Sequence, residues 1–154
     1  MNFERLEEKE FRDIQQFQRW AATLKKYVAP GTIFLLQGKL GAGKTELVKA
    51  LLSELGSEEV VSPTFALQQT YHLMAEKQFE KVIIDHWDLY RLEGEDELES
   101  TGFWDQFMTP DYCVWIEWPE RLSSYSLLPK KAKIFLIEIE ILDVGRRIRL
   151  SLKA

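Results

Sequence analysis

The sequence predicts an α/β domain in which a mainly parallel central sheet is flanked by helices, with antiparallel strands at its edges and a C-terminal hairpin. Three observations predict it. Short apolar runs at Thr32–Leu36, Lys81–Asp85 and Tyr112–Ile116 read as buried strands. Stretches with apolar residues at helical spacing fall before and after the first of these runs, the alternation that builds a parallel sheet. Ile134–Ile141 and Ile148–Leu152 flank the turn Asp143-Val144-Gly145 and read as a hairpin.

Taken in order, Phe11, Ile14, Phe17, Ala21, Leu24 and Val28 recur at helical spacing, so the first sizeable element is an amphipathic helix. Pro30-Gly31 ends it and turns the chain into the Thr32–Leu36 strand. A helix follows with Leu47, Val48, Leu51, Leu52 and Leu55 on one face, and Gly56 is placed to cap it. Ser62-Pro63-Thr64-Phe65 opens an extended stretch to about Leu73. After the Lys81–Asp85 strand, the acids Glu93, Glu95, Asp96, Glu97 and Glu99 suit a solvated helix start. Phe103, Trp104 and Phe107 suggest a short helix before the Tyr112–Ile116 strand. No repeat, low-complexity tract or linker interrupts this, and residues 1–154 read as one domain.

Between the Thr32–Leu36 strand and the next helix stands Gly38-Lys39-Leu40-Gly41-Ala42-Gly43-Lys44-Thr45, which fits G-x-x-x-x-G-K-[ST]. Strand, glycine loop and helix together make a phosphate-binding loop, so the domain reads as P-loop NTPase-like. Glycines let backbone N–H groups turn toward phosphate oxygens, and the helix adds its positive end. Lys44 is placed for the β and γ phosphates, and the Thr45 hydroxyl for Mg²⁺. Triphosphate hydrolysis also needs a carboxylate at a strand end. Asp85, Asp88 and Glu117 all follow apolar runs, and spacing alone does not rank them.

Beyond the loop, Ser62-Pro63-Thr64-Phe65, His86-Trp87-Asp88-Leu89-Tyr90-Arg91-Leu92 and Ile116-Glu117-Trp118-Pro119-Glu120-Arg121 appear in that order. With Gly41–Thr45 they resemble the TsaE (YjeE) family, bacterial ATPases needed to make threonylcarbamoyladenosine in tRNA. The resemblance runs from about Thr32 to Leu122. It implies ATP and Mg²⁺ as cofactors, with Gly38, Gly41, Ala42, Gly43, Lys44, Thr45, Glu46, Thr64 and Trp118 at the nucleotide. It implies Lys44, Asp88 and Glu117 as catalytic residues, Thr45 and Glu117 at the metal, and Thr64 as a sensor of the γ-phosphate or metal. It therefore favours Asp88 and Glu117 over Asp85. It further implies slow turnover unless partnered, the proteins TsaD and TsaB as partners, and tRNA met through them. Lys39 departs from the family, which often has aspartate there. It sits on the loop's outer side, where hydrolysis is expected to survive it. His86 is a candidate to orient Asp88, or a structural histidine. Arg91 and Arg121 are candidates for phosphate contact or for internal ion pairs.

Composition excludes several other classes. The net charge is -5, which gives no overall basic field for nucleic acid, and no RNA-binding motif appears. A single cysteine, Cys113, allows neither an internal disulfide nor a cysteine-based zinc site and reads as a buried thiol. The start Met1-Asn2-Phe3-Glu4-Arg5 lacks a signal-peptide pattern, no apolar run approaches a membrane span, and a cytoplasmic protein is expected. A small-molecule kinase would need an arginine-bearing lid. Arg146, Arg147 and Arg149 fall instead in the terminal hairpin. A non-catalytic nucleotide switch with Thr64 as its sensor is the other alternative.

Overall fold

The computed structural model describes residues 1–57, 67–75 and 80–154, without the side chains of 72–75 and 80–82. The Ser62–Phe65 segment, and Thr64 with it, lies outside the described residues. Seven strands form one sheet: β1 Phe3–Phe11, β2 Thr32–Gly38, β3 Gln68–Ala75, β4 Glu80–Asp88, β5 Tyr112–Glu117, β6 Lys133–Ile141 and β7 Arg146–Lys153, in the order β1-β7-β6-β2-β5-β4-β3. The centre, β6-β2-β5-β4, is parallel; β3, β7 and β1 are antiparallel to their neighbours. Among the described residues three α-helices accompany it: α1 Ile14–Ala22, α2 Lys44–Glu54 and α3 Glu95–Ser100.

The apolar runs are buried on both faces because each sheet face carries its own core. Phe34 and Leu36 of β2 join α1 and α2 through Phe17, Leu24, Leu47, Val48 and Leu51. Ile33 and Leu35 face the other way, onto Trp87, Leu98, Phe103 and Ile116. Phe34 is sandwiched between Trp115 at 3.8 Å and Phe135 at 5.1 Å, a ring stack running across three parallel strands beneath α2. This stack fixes the level of β2, and so of the loop at its end.

Helix α2 ends as the sequence predicts. Gly56 is left-handed (φ +86), its N–H bonds Ser53, and Ser57 N–H bonds the Leu52 carbonyl. This is the Schellman pattern. The first helix is shorter than its pattern. The Asp13 carboxylate caps it by accepting from Gln16 N–H, and it tightens into a 3₁₀ turn at Thr23–Tyr27. Phe11 belongs instead to β1, a strand absent from the sequence expectation. It pairs with β7 through charge: Arg149 bonds Glu8 at 2.9 Å, and Arg147 bridges Glu10 at 2.6 Å and Glu140 at 3.1 Å. Phe103 and Trp104 lie in a turn and Phe107 in a 3₁₀ segment, Asp105–Met108, whereas the helix is built from the acidic run before them.

Candidate functional site

Register places the site. Leu36 of β2 pairs with Glu117 of β5, Glu117 pairs with Asp88 of β4, and Gly38 pairs with Ile139 of β6. The carboxylate-bearing strand ends therefore stop level with one another, just below the glycine loop. This is the carboxyl edge of a parallel sheet, where such folds bind ligands.

Gly38 starts the loop tight against β6, since a Cβ there would lie 2.7 Å from the Ile139 carbonyl oxygen. Gly43 precedes α2 at φ +115, a conformation that an L side chain adopts only under strain. Lys44 opens the helix and is buried. Its Nζ donates to the carbonyls of Gly38 at 2.6 Å and Lys39 at 3.1 Å, and lies 4.0 Å from the Trp118 ring centroid. Burial pulls its pKa below the ordinary lysine value, opposed by the carboxylates of Glu117, Glu120 and Asp88.

The Thr45 hydroxyl lies 3.1 and 3.3 Å from the two carboxylate oxygens of Glu117. His86 Nε2 lies 2.7 Å from Glu117 Oε1, with both side chains almost wholly buried. Asp88 accepts the Tyr90 N–H at 3.0 Å. Its pKa is raised, first by burial and further by the neighbouring Glu117 charge. Trp118 follows Glu117 with φ 58 and ψ 50, the one non-glycine residue at positive φ among the described residues. Such a conformation costs about 1–3 kcal/mol and collects at functional sites. Here the Trp118 N–H bonds the Leu36 carbonyl of β2, and the indole sits over Lys44 with the Tyr90 ring 4.9 Å away.

The structure thus brings together Gly38, Gly41, Ala42, Gly43, Lys44, Thr45, Asp88, Glu117 and Trp118. It does not bring the Glu46 carboxylate to them: Glu46 faces Gln18 of α1 at 3.4 Å and Lys49 at 3.8 Å. Asp85 lies apart as well, accepting from Thr70 at 2.6 Å and Gln68 at 2.9 Å on the edge strand. Lys39 is exposed on the loop's outside. His86 bonds Glu117, where the sequence reading considered Asp88. Sequence reasoning missed a cavity of about 280 Å³ beside the loop, lined by Arg12, Ile14, Gly41, Leu142 and Arg146 among others. Arg146 crosses the Phe17 ring at 5.3 Å and reaches Gly43. Only the hairpin folding back over the loop puts it there, and no local motif announces that.

The oxygen donors suit a hard cation. A hydroxyl and a carboxylate side by side, Thr45 and Glu117, are the residues here that could hold an ion such as Mg²⁺.

A family model described as "Threonylcarbamoyl adenosine biosynthesis protein TsaE" matches residues 11–148. The chain is 36% identical over 128 residues to a tRNA threonylcarbamoyladenosine biosynthesis protein TsaE from Haemophilus influenzae, covering 82% of this chain and 74% of that protein. It is 36% identical over 114 residues to the protein of the same name from Treponema pallidum, covering 73% and 78%. A crystal structure of YdiB from Bacillus subtilis shares the fold, with a TM-score of 0.70, 22% identity, and coverage of 100% of this chain and 89% of that one.

Proposed function

This chain belongs to the TsaE family of tRNA threonylcarbamoyladenosine biosynthesis, and we propose that within that pathway it binds and hydrolyses ATP with Mg²⁺. The observation that carries the reading is the joining of loop and strand end: the first helical hydroxyl after the glycine loop, Thr45, sits against the buried Glu117 carboxylate.

In this reading the loop backbone and the α2 N-terminus cradle the β and γ phosphates. Lys44 exchanges its bonds to the Gly38 and Lys39 carbonyls for phosphate oxygens, a move that puts its charge against charge. Thr45 and Glu117 hold Mg²⁺. When bound, the ion neutralises charge on the phosphate oxygens. Asp88, level with Glu117 on the next strand, holds the attacking water, and its raised pKa suits a group that takes up a proton. Trp118 packs against the nucleotide side of Lys44. The cavity lined by Arg12 and Arg146 takes the nucleoside end, since its lining includes Gly41 of the loop. Thr64 senses the γ-phosphate or the metal. The whole of 1–154 works as one ATPase domain.

In this reading ATP turnover serves partners. These are TsaD and TsaB, with tRNA met through their complex in the cytoplasm. Phosphate release from MgATP, alone and with purified TsaD and TsaB, tests this against Lys44→Ala and Glu117→Ala. Partner-stimulated release lost in both variants is the expected result. Equal background release from all three proteins would refute it.

A further inference from the structure

We propose that His86 is the positioning residue of Glu117: its Nε2–H holds one carboxylate oxygen and so sets the face that Glu117 turns to Thr45 and to the bound metal. The inference rests on the reading of Glu117 as a metal-site carboxylate.

An ionised carboxylate brings no proton, so a contact of 2.7 Å requires one on Nε2. The other ring nitrogen, Nδ1, is buried without a hydrogen-bond partner among the described residues. A proton there would be an unsatisfied buried donor, so the ring proton belongs on Nε2. His86 therefore holds Glu117 through Oε1, leaving Oε2 to meet Thr45.

The position needs such a hold. Directly across the strands, Glu117 faces Asp88, another carboxylate. His86 stands two residues earlier on β4, opposite Trp115, and reaches diagonally to the strand end. Repulsion between Asp88 and Glu117 favours swinging the two apart, and the His86 bond decides where Glu117 goes. Thr45 then meets both of its oxygens. Buried second partners of this kind orient ligands, and their loss costs roughly 10–100-fold in metal affinity or activity.

The test uses Mn²⁺ as the metal probe, titrated into the protein–ADP complex and read as free Mn²⁺ by electron paramagnetic resonance. His86→Phe, which keeps a ring but no donor, is expected to weaken Mn²⁺ binding about 10–100-fold. ADP affinity in EDTA should stay within about twofold, because His86 touches no phosphate-loop group. His86→Gln, whose amide N–H reaches the Nε2 position, should restore most of the affinity, whereas His86→Asn, which places it near Nδ1, should not. In a Glu117→Gln background, His86→Phe should add little. Equal affinity in wild type and His86→Phe overturns the proposal. So does equal behaviour of the Gln and Asn variants, the comparison that decides if His86→Phe does not fold. Failure of the wild type to bind ADP would instead remove the nucleotide reading itself.

Discussion

Replacing Gly38 by alanine tests the loop's anchorage. The added Cβ would stand 2.7 Å from the Ile139 carbonyl oxygen and 3.1 Å from Ala42 Cβ. Ordinary van der Waals contact begins at 3.4 Å, so roughly 0.7 Å must be found. The obstacle is backbone. Ile139 belongs to β6, which is paired on one side to β2 and on the other to β7, so it cannot retreat without disturbing two ladders. Overpacking of this kind costs about 1–3 kcal/mol. For a chain of this size, that lowers Tm by about 2–12 °C. The loop start would move instead, carrying the Gly38 carbonyl that accepts from Lys44. A shift of that size at the proposed phosphate cradle should cost about tenfold or more in nucleotide affinity. Thermal melting followed by circular dichroism reads the first effect, and titration with a fluorescent ADP analogue the second. A Gly38→Ala protein with wild-type Tm and affinity would refute the argument that the loop is pinned against β6.

Other perturbations follow from the same geometry. Asp88→Asn keeps an acceptor for the Tyr90 N–H and removes a charge that burial and Glu117 disfavour. The raised pKa means that the fold is more stable with Asp88 protonated. Wild type therefore loses that advantage as pH rises through the folded pKa, and the variant does not. Melting at neutral pH should thus be higher for Asp88→Asn, the gain vanishing below the ordinary carboxylate range near pH 3.8, while phosphate release falls. A lower neutral-pH Tm would contradict this. Phe34→Ala opens the stack between Trp115 and Phe135 and should cost about 3–5 kcal/mol, read as a large fall in the urea midpoint. Cys113 is fully buried and its pKa is pushed up to about 12. Ellman's reagent should therefore label it only at the rate of unfolding; rapid labelling of native protein would show the β5 core to be open.

The legible parts of this fold were those where local and global physics agree. Strands β2, β4 and β5 announce themselves because each is covered on both faces, so their composition alone carries the signal. Gly56 was readable because only glycine suits the left-handed end of α2. Strand β1 was not readable. Its sequence, FERLEEKEF, alternates little apolar surface, and its pairing depends on Arg147 and Arg149 nearly 140 residues away. A charged edge strand of this kind is specified by its neighbour rather than by itself. The acidic run and the aromatics after it were assigned the right characters in the wrong arrangement. Three acids in the first turn favour a helix at Glu95, whereas Gly102 at φ +78 breaks the chain before Phe103 can continue it.

The site divides along the same line. The glycine loop is contiguous in sequence, so its chemistry is written in one place. The carboxylates are not, and three acids at strand ends looked alike until register separated them. Side chains on a strand alternate between faces, which puts His86 beside Ile84 on the α2 side and sends Asp85 to the other. On β5 the same alternation sets Glu117 with Cys113 and Trp115, facing Thr45. Asp85 thus belongs to the edge strand through Thr70 and Gln68, although its sequence context matches that of Glu117. One residue of register on β4 would exchange Asp85 and His86, removing the only imidazole among the described residues that touches the candidate site. The motif His86-Trp87-Asp88 is therefore best understood as a register device. Trp87 locks the strand into the second core by packing on Phe103 and bonding Gln106, so that the residues on either side of it must face the glycine loop.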